Sequence, residues 1–327
     1  MEKAVSSIHR ISVVIPVYQG EKTLPMLLRE LLPITKETVS HAKNHFLVTE
    51  IVLVHDCGPD DSGATIQALA EANSCIKPVW LSKNFGQHPA TLAGMASSTG
   101  DWVVTMDEDG QQNPADIGLL LDTAMSEGAQ LVYAKPSNPP PHGFLRNFLS
   151  KGAKKTATFL LGNQEIGHFN SFRLVRGDIA RSLAAYCGNG VFLDVALFWI
   201  TARISRSPVF LRKEQDRPSG YSFRKLFGHF WQLLLTSGTR PLRLITFMGF
   251  GSLILAILIS VYAVWVKFYL AGSVQGWASI VIVVAFFSGC ILMSLGVIAE
   301  YMAVTMSIVM GKPLYVVATR PTPSRKG

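Results

Sequence analysis

The chain has 327 residues, 49% of them apolar and only 16% charged, with a mean hydropathy of +0.29, a balance foreign to a purely water-soluble enzyme. Its net charge of +8 is unevenly divided: residues 1–202 carry 16 Lys/Arg against 19 Asp/Glu, and residues 203–327 carry 14 against 3. A disordered or collagenous chain is excluded, and positive charge interleaved with apolar runs argues against a nucleic-acid partner and for a membrane surface.

The N-terminal MEKAVSSIHR lacks an apolar signal core, so the globular half is expected to stay in the cytosol. Five β-type runs then alternate with helical patterns, at 11–18, 50–56, 79–83, 101–107 and 129–134. That alternation predicts an α/β domain with a doubly wound, mostly parallel sheet, whose ligand site lies at the carboxyl ends of the strands. Polar clusters fall there: Pro16 to Tyr18, His55 to Cys57, Lys83 to Phe85, and Asp107 to Asp109. No GxGxxG follows the first strand and no P-loop is present, so a nucleotide would be held another way.

Asp107 and Asp109 stand at i and i+2 where an apolar strand ends, and supply hard oxygen ligands for Mg²⁺ or Mn²⁺ bridging a diphosphate. Acidic pairs at strand ends also serve as helix caps or solvated turns. Asp56 is open to two roles, hydrogen bonding to a base or ribose and capping of the turn that follows. Asp194, in VFLDVALFW, reads as a helix cap or buried hydrogen-bonded carboxylate, with an acid/base role as the alternative. Cys57, Cys75, Cys187 and Cys290 form no CxxC pair, so no zinc site or disulfide framework is expected.

Past residue 202 the pattern changes. In FRKLFGHFWQLLL, Phe223, Leu226, Phe227, Phe230, Trp231 and Leu234 recur at helical spacing, with Arg224, Lys225 and His229 opposite. This predicts a basic amphipathic helix in the headgroup plane; a core helix on the globular half is the alternative. A weaker basic segment at 144–161 is either lipid-facing or an ordinary surface helix. Residues 244–266 and 277–299 are uncharged runs of 23 residues, each long enough as a helix, at roughly 34 Å, to cross a bilayer. The short connection between them makes a two-helix hairpin. Arg240 and Arg243 before it and Lys312, Arg320, Arg325 and Lys326 after it put both termini on the cytosolic side.

The ordered segments VVIPVYQGEKTL, VLVHDCGPDDS, LSKNFGQHPATLAG, MDEDGQQNP, NSFRLVR and RPSGYS, with PLRL before the first run and GKPLYVV after the second, resemble a known family. It is glycosyltransferase family 2, in its polyisoprenyl-phosphate branch, which includes dolichyl-phosphate mannose synthases and bacterial undecaprenyl-phosphate sugar transferases. The resemblance implies a GT-A type domain over 1–212, a basic loop and juxtamembrane amphipathic helix over 213–243, a two-span hairpin over 244–303 and a cytosolic tail over 304–327. It implies inverting transfer of one sugar from a nucleotide sugar, expected to be UDP-linked, to a polyisoprenyl phosphate such as undecaprenyl phosphate. The setting is the cytosolic face of the inner membrane, in service of cell-envelope glycans.

Carried onto this chain, Pro16, Tyr18, Asp56, Lys83 and Gln111 belong to the nucleotide-sugar pocket, Asp107 and Asp109 to the Mg²⁺ or Mn²⁺ site, and Arg217 and Ser222 to the acceptor phosphate. Asp107, Asp109 and Arg217 would carry catalysis. Association of copies through the spans, as a homo-oligomer, is also implied. Four positions depart from the family pattern: Gly20 where Glu or Asn is usual, His55 and Gln112 for Asp, and Ser171 for the Asp of its DFRL segment. The alternatives are a membrane-tethered, non-catalytic nucleotide-sugar subunit and a glycan-extending synthase. The latter is expected to carry a QxxRW motif and further spans, which this chain lacks.

Overall fold

The computed structural model describes residues 8–138, 169–188, 191–212 and 276–319, with individual positions between 249 and 265. In chain order the elements are β1 (His9–Val17), α1 (Leu24–Leu31), β2 (Thr38–Val39), β3 (His45–His55), α2 (Ser62–Ala72), β4 (Ile76–Leu81) and α3 (Gln87–Ala96). They continue with β5 (Trp102–Thr105), α4 (Ile117–Glu127), β6 (Leu131–Pro136), β7 (Arg173–Arg176), α5 (Gly177–Tyr186) and α6 (Leu193–Ile200). The last are β8 (Ile204–Val209), α7 (Trp277–Val309) and β9 (Val317–Ala318).

The strands form one sheet in the order β8-β6-β7-β5-β1-β3-β4-β9, with β2 beside β3. Alternate residues of each strand feed two cores. Val13, Ile15 and Val17 of β1 meet Leu24, Leu28 and Leu31 of α1 and Ile117 and Leu121 of α4 on one face. Val14 of β1 and Val52 and Val54 of β3 meet Ala90 and Ala93 of α3 and Ala180 and Leu183 of α5 on the other. Each fully buried Leu or Ile contributes about 1.5–3 kcal/mol, and β1 and β3 place such residues in both cores.

The expected sheet is corrected in one respect: it is mixed. Strands β5, β1, β3 and β4 run parallel, whereas β7 lies antiparallel between β5 and β6, and β9 lies antiparallel on β4. The β7 insertion is four residues, RLVR, with an arginine at each end, too short and too polar to stand out as an apolar run. Its direction has a consequence for the site. Because Arg173 pairs with Thr105 and Arg176 with Trp102, the residues just ahead of β7, Asn170 and Ser171, arrive at the carboxyl end of β5.

Helix α7 spans 33 residues, about 50 Å, and passes the expected end at 299, since no charge or turn residue follows Glu300 before Gly311, Lys312 and Pro313. Among the described residues it is the one helix long and apolar enough to cross a membrane, and Ile291, Leu292 and Leu295 along it face outward. Described positions of the 244–266 run, such as Ile254, Leu258 and Trp265, are helical and exposed. The expected interfacial helix, the 144–161 segment, Arg217 and Ser222 lie outside the described residues. After α7 the chain returns to the sheet: Val316 accepts the Ser82 N–H at 2.9 Å, and β9 pairs with Trp80 and Leu81 of β4.

Candidate active site

The loops after four strands meet at one edge of the sheet. The Asp56 N–H donates to the Val17 carbonyl at 2.8 Å, joining β3 to β1. Just beyond, a Cβ on Gly58 would sit 1.4 Å from the Tyr18 carbonyl oxygen, so the two loops touch backbone to backbone and only glycine fits. Tyr18 is 42% exposed at the rim, and Pro16 is half-buried behind it. The Glu21 N–H donates to Asp60 at 3.0 Å, and the Asp61 N–H to Glu21 at 3.3 Å, closing the β1 loop onto the β3 loop.

Asp56 is buried, and its two carboxylate oxygens accept the backbone N–H groups of Phe85 at 2.7 Å and Gly86 at 2.9 Å. Burial pushes its carboxyl above the usual range while the two N–H donors pull it back. It therefore shapes the loop after β4 from beneath. On that loop Lys83 is exposed, its ammonium 5.2 Å from the centre of the Phe85 ring. His55, also buried, lies edge-on to Trp80 at 5.4 Å, and burial lowers its imidazole below the usual value.

Asp107 follows β5 and is held by three neutral donors. Gln87 Nε2 reaches Oδ1 at 2.6 Å, while Gln112 Nε2, at 2.9 Å, and the Ser171 hydroxyl reach Oδ2. Gln112 also accepts the Asp107 N–H at 2.9 Å and donates to Ser171 at 2.9 Å. Gln112 and Ser171, two of the four departures noted above, are thus one arrangement: an amide and a hydroxyl that bond each other and together hold Asp107. Burial pushes the Asp107 carboxyl up to about 6, with the Ser171 hydrogen bond opposing the rise and the Asp109 charge adding to it. Asp109 Oδ1 accepts the Gln111 N–H at 3.0 Å, which sets the turn. The Gln111 carbonyl accepts the Arg212 N–H at 2.9 Å, which holds Arg212 beside this turn.

Between the two acids, Glu108 points the other way. Its oxygens accept the Tyr18 N–H at 3.1 Å and the Gln19 N–H at 2.9 Å, latching the β1 loop to the acidic turn. A Cβ on Gly20 would meet Glu108 Oε2 at 2.8 Å, so the departure at Gly20 leaves room for this carboxylate.

The loops that carry Tyr18, Asp56, Lys83, Asp107, Asp109 and Gln111 are thus tied together at the carboxyl ends of the strands, with Pro16 at the end of β1. Glu108 and Gln87 join the site without having been assigned a role from the sequence; for Glu108 the signal is its place in the acidic triplet. Asp194 is the buried, hydrogen-bonded carboxylate, paired with Arg173 and accepting the Tyr133 hydroxyl at 2.9 Å. Among the described residues no three His, Cys, Asp or Glu side chains cluster for a metal. Two carboxylates at a strand end still suit Mg²⁺ or Mn²⁺, which take one or two protein carboxylates and complete their shell with substrate phosphates and water.

Comparison with known proteins agrees with this architecture. A prophage bactoprenol glucosyl transferase homolog of Escherichia coli (strain K12) is 24% identical over 311 residues, covering 94% of this chain and 98% of that protein. An undecaprenyl-phosphate 4-deoxy-4-formamido-L-arabinose transferase of Pseudomonas paraeruginosa (strain DSM 24068 / PA7) is 29% identical over 319 residues, 96% of this chain and 91% of that one. Among solved structures, glucosyl-3-phosphoglycerate synthase from Mycobacterium tuberculosis in complex with Mn²⁺, UDP-glucose and phosphoglyceric acid matches with a TM-score of 0.50 at 19% identity. It covers 71% of this chain and 79% of that chain, a likeness of fold, here GT-A-like. The model of glycosyl transferase family 2 matches residues 12–183, more than half of the chain and the part that builds this cleft, and the chain belongs to that family.

Proposed function

We propose that the chain moves one sugar from a nucleoside diphosphate donor, expected to be UDP-linked, to a polyisoprenyl phosphate at the cytosolic face of the membrane. The observation that carries this reading is the convergence of Asp107 and Asp109 with the Tyr18 and Gly86 loops at the carboxyl ends of β1, β4 and β5. Relatives named for undecaprenyl phosphate and bactoprenol align over nearly the whole chain, which supports the acceptor class.

A lipid phosphate has its second pKa near 6, so its oxygen is largely anionic at neutral pH and needs no strong base. That oxygen bonds to the anomeric carbon as the bond from carbon to the diphosphate oxygen breaks. The electron pair leaves with the nucleoside diphosphate, and the anomeric configuration inverts. A bound Mg²⁺ or Mn²⁺ would neutralise charge on the departing diphosphate. Asp109, with Asp107, would hold the ion; Gln87, Gln112 and Ser171 fix Asp107 so that no reorganisation is needed during the reaction. Arg217 follows Arg212 by five residues in the sequence, and its fixed positive charge and fork of donors would suit the acceptor phosphate. Ser222 lies on the same basic loop.

In this reading 244–266 and 277–299 form the two-span hairpin, with both termini in the cytosol and copies free to associate through the spans. The return of β9 to β4 supports one side for the catalytic domain and the end of α7. The test is consumption of nucleotide sugars by the purified chain with Mg²⁺ or Mn²⁺, with and without undecaprenyl phosphate. Turnover that needs both metal and lipid is expected. Turnover without lipid phosphate refutes the acceptor assignment, and donor binding without turnover favours a non-catalytic subunit.

A further inference from the structure

The loop at residues 82–86 leaves β4 and leads into α3, and it is fixed at both ends. At the far end, Asp56 holds the Phe85 and Gly86 N–H groups, and Gln87, which opens α3, holds Asp107. At the near end, the Leu81 carbonyl accepts the Cys57 thiol at 3.0 Å from the β3 side. On the opposite side stands β9: the Ser82 N–H donates to the Val316 carbonyl at 2.9 Å, and Leu81 pairs with Val317. Lys83 and Asn84 therefore lie between two pinned points.

The segment that supplies β9 is built to arrive there. Gly311, at φ +62°, closes α7 in the left-handed conformation that glycine adopts without strain, and Pro313 stops the helix from resuming. Leu314 and Tyr315 then pack against the same core cluster as Phe85, and from Gly311 to Val316 the backbone extends at most about 18 Å. Val316 and Val317 are 44% and 53% exposed, so burial of their own side chains is not what seats them. A two-residue strand also adds little to a sheet already packed on both faces. What it adds is a fixed point where β4 becomes loop.

Resting on the donor reading above, we propose that residues 314–318 are a positioning strap for the nucleotide donor site. Tyr315 seats the strap in the core, and Val316 holds Ser82 so that the 82–86 loop keeps the shape that Asp56 and Gln87 grip. Donor binding thus depends on a segment that follows the long apolar helix. The test uses the full chain in lipid nanodiscs with Mn²⁺, and reads UDP affinity by calorimetry beside amide hydrogen exchange. Tyr315→Ala is expected to weaken UDP binding at least fivefold and to speed exchange across residues 82–87 at least tenfold, with exchange in α4 within twofold of wild type. Tyr315→Phe is expected to restore both within twofold. Because Ser82 and Val316 are a bonded pair, the alternation of an antiparallel ladder makes Trp80 and Ala318 the next one. Ala318→Pro removes an N–H from that pair and gives the same pattern if Tyr315→Ala fails to fold. Unchanged UDP affinity with a faster loop, an unchanged loop, or exchange that rises equally in α4 overturns the strap as a positioning device. Failure of the wild type to bind UDP overturns the donor reading, and the strap's part in it, whichever way the loop exchanges.

Discussion

Glu108→Ala isolates what the middle acid of the triplet does. Among the described residues, the substitution removes the hydrogen bonds from the Tyr18 and Gln19 N–H groups and leaves the Asp107 and Asp109 side chains in place. Hydrogen bonds to a charged group contribute about 1.5–3 kcal/mol each; at this half-exposed position the lower figure applies, for a total near 3 kcal/mol. Were all of it spent on ordering the β1 loop, donor binding would fall about 100-fold, at tenfold per 1.4 kcal/mol. The Gly58 contact and the Val17–Asp56 bond hold the same loop, so the expected rise in donor KM is roughly 10- to 30-fold, with kcat changed about threefold or less. The assay is initial transfer rate against donor concentration, repeated across Mn²⁺ concentrations at saturating donor. Glu108→Gln should fall between, because its amide oxygen is a weaker acceptor than a carboxylate. An unchanged donor KM, or a metal requirement that rises as steeply as for an Asp109 variant, refutes a latch and makes Glu108 a metal ligand.

Asp109→Ala should reduce transfer by at least about 100-fold with thermal stability and membrane association retained; near-normal rates would remove the metal assignment. Arg217→Ala should raise the KM for undecaprenyl phosphate at least fivefold, with the donor KM within about twofold, measured by varying each substrate in turn. Gly58→Ala forces apart two loops whose backbones touch and should cost at least about 3 kcal/mol, visible as a lowered Tm or loss of soluble protein. A wild-type melting curve for that variant would mean that the Tyr18 loop is free to shift.

Much of the domain is legible in the sequence because the central strands are apolar runs. Each expected run at 11–18, 50–56, 79–83 and 101–107 overlaps an observed strand, and their polar ends meet as expected. What escapes is set by non-local pairing. RLVR becomes β7 only because β5 and β6 flank it, and ISRSPV becomes β8 beside β6 although its polar residues hide the pattern. The two-residue strand β9 carries no periodicity at all. At the site, residue types pointed to Asp107 and Asp109, but partners decide what a carboxylate does. Asp56 spends both oxygens on backbone N–H groups, and Glu108 reaches across to another loop. Gly20, Gln112 and Ser171 look like losses one at a time; in space, the first makes room for Glu108 and the others cradle Asp107 together.

The position of β9 in the chain imposes an order of assembly. It covers the outer edge of β4, yet it is synthesised after α7, so the sheet is finished only once the greasy helix has left the ribosome. A nascent chain halted before that point carries a bare strand edge next to the Lys83 loop, the kind of edge that recruits foreign strands. Maturation of the catalytic half thereby waits on the long apolar helix.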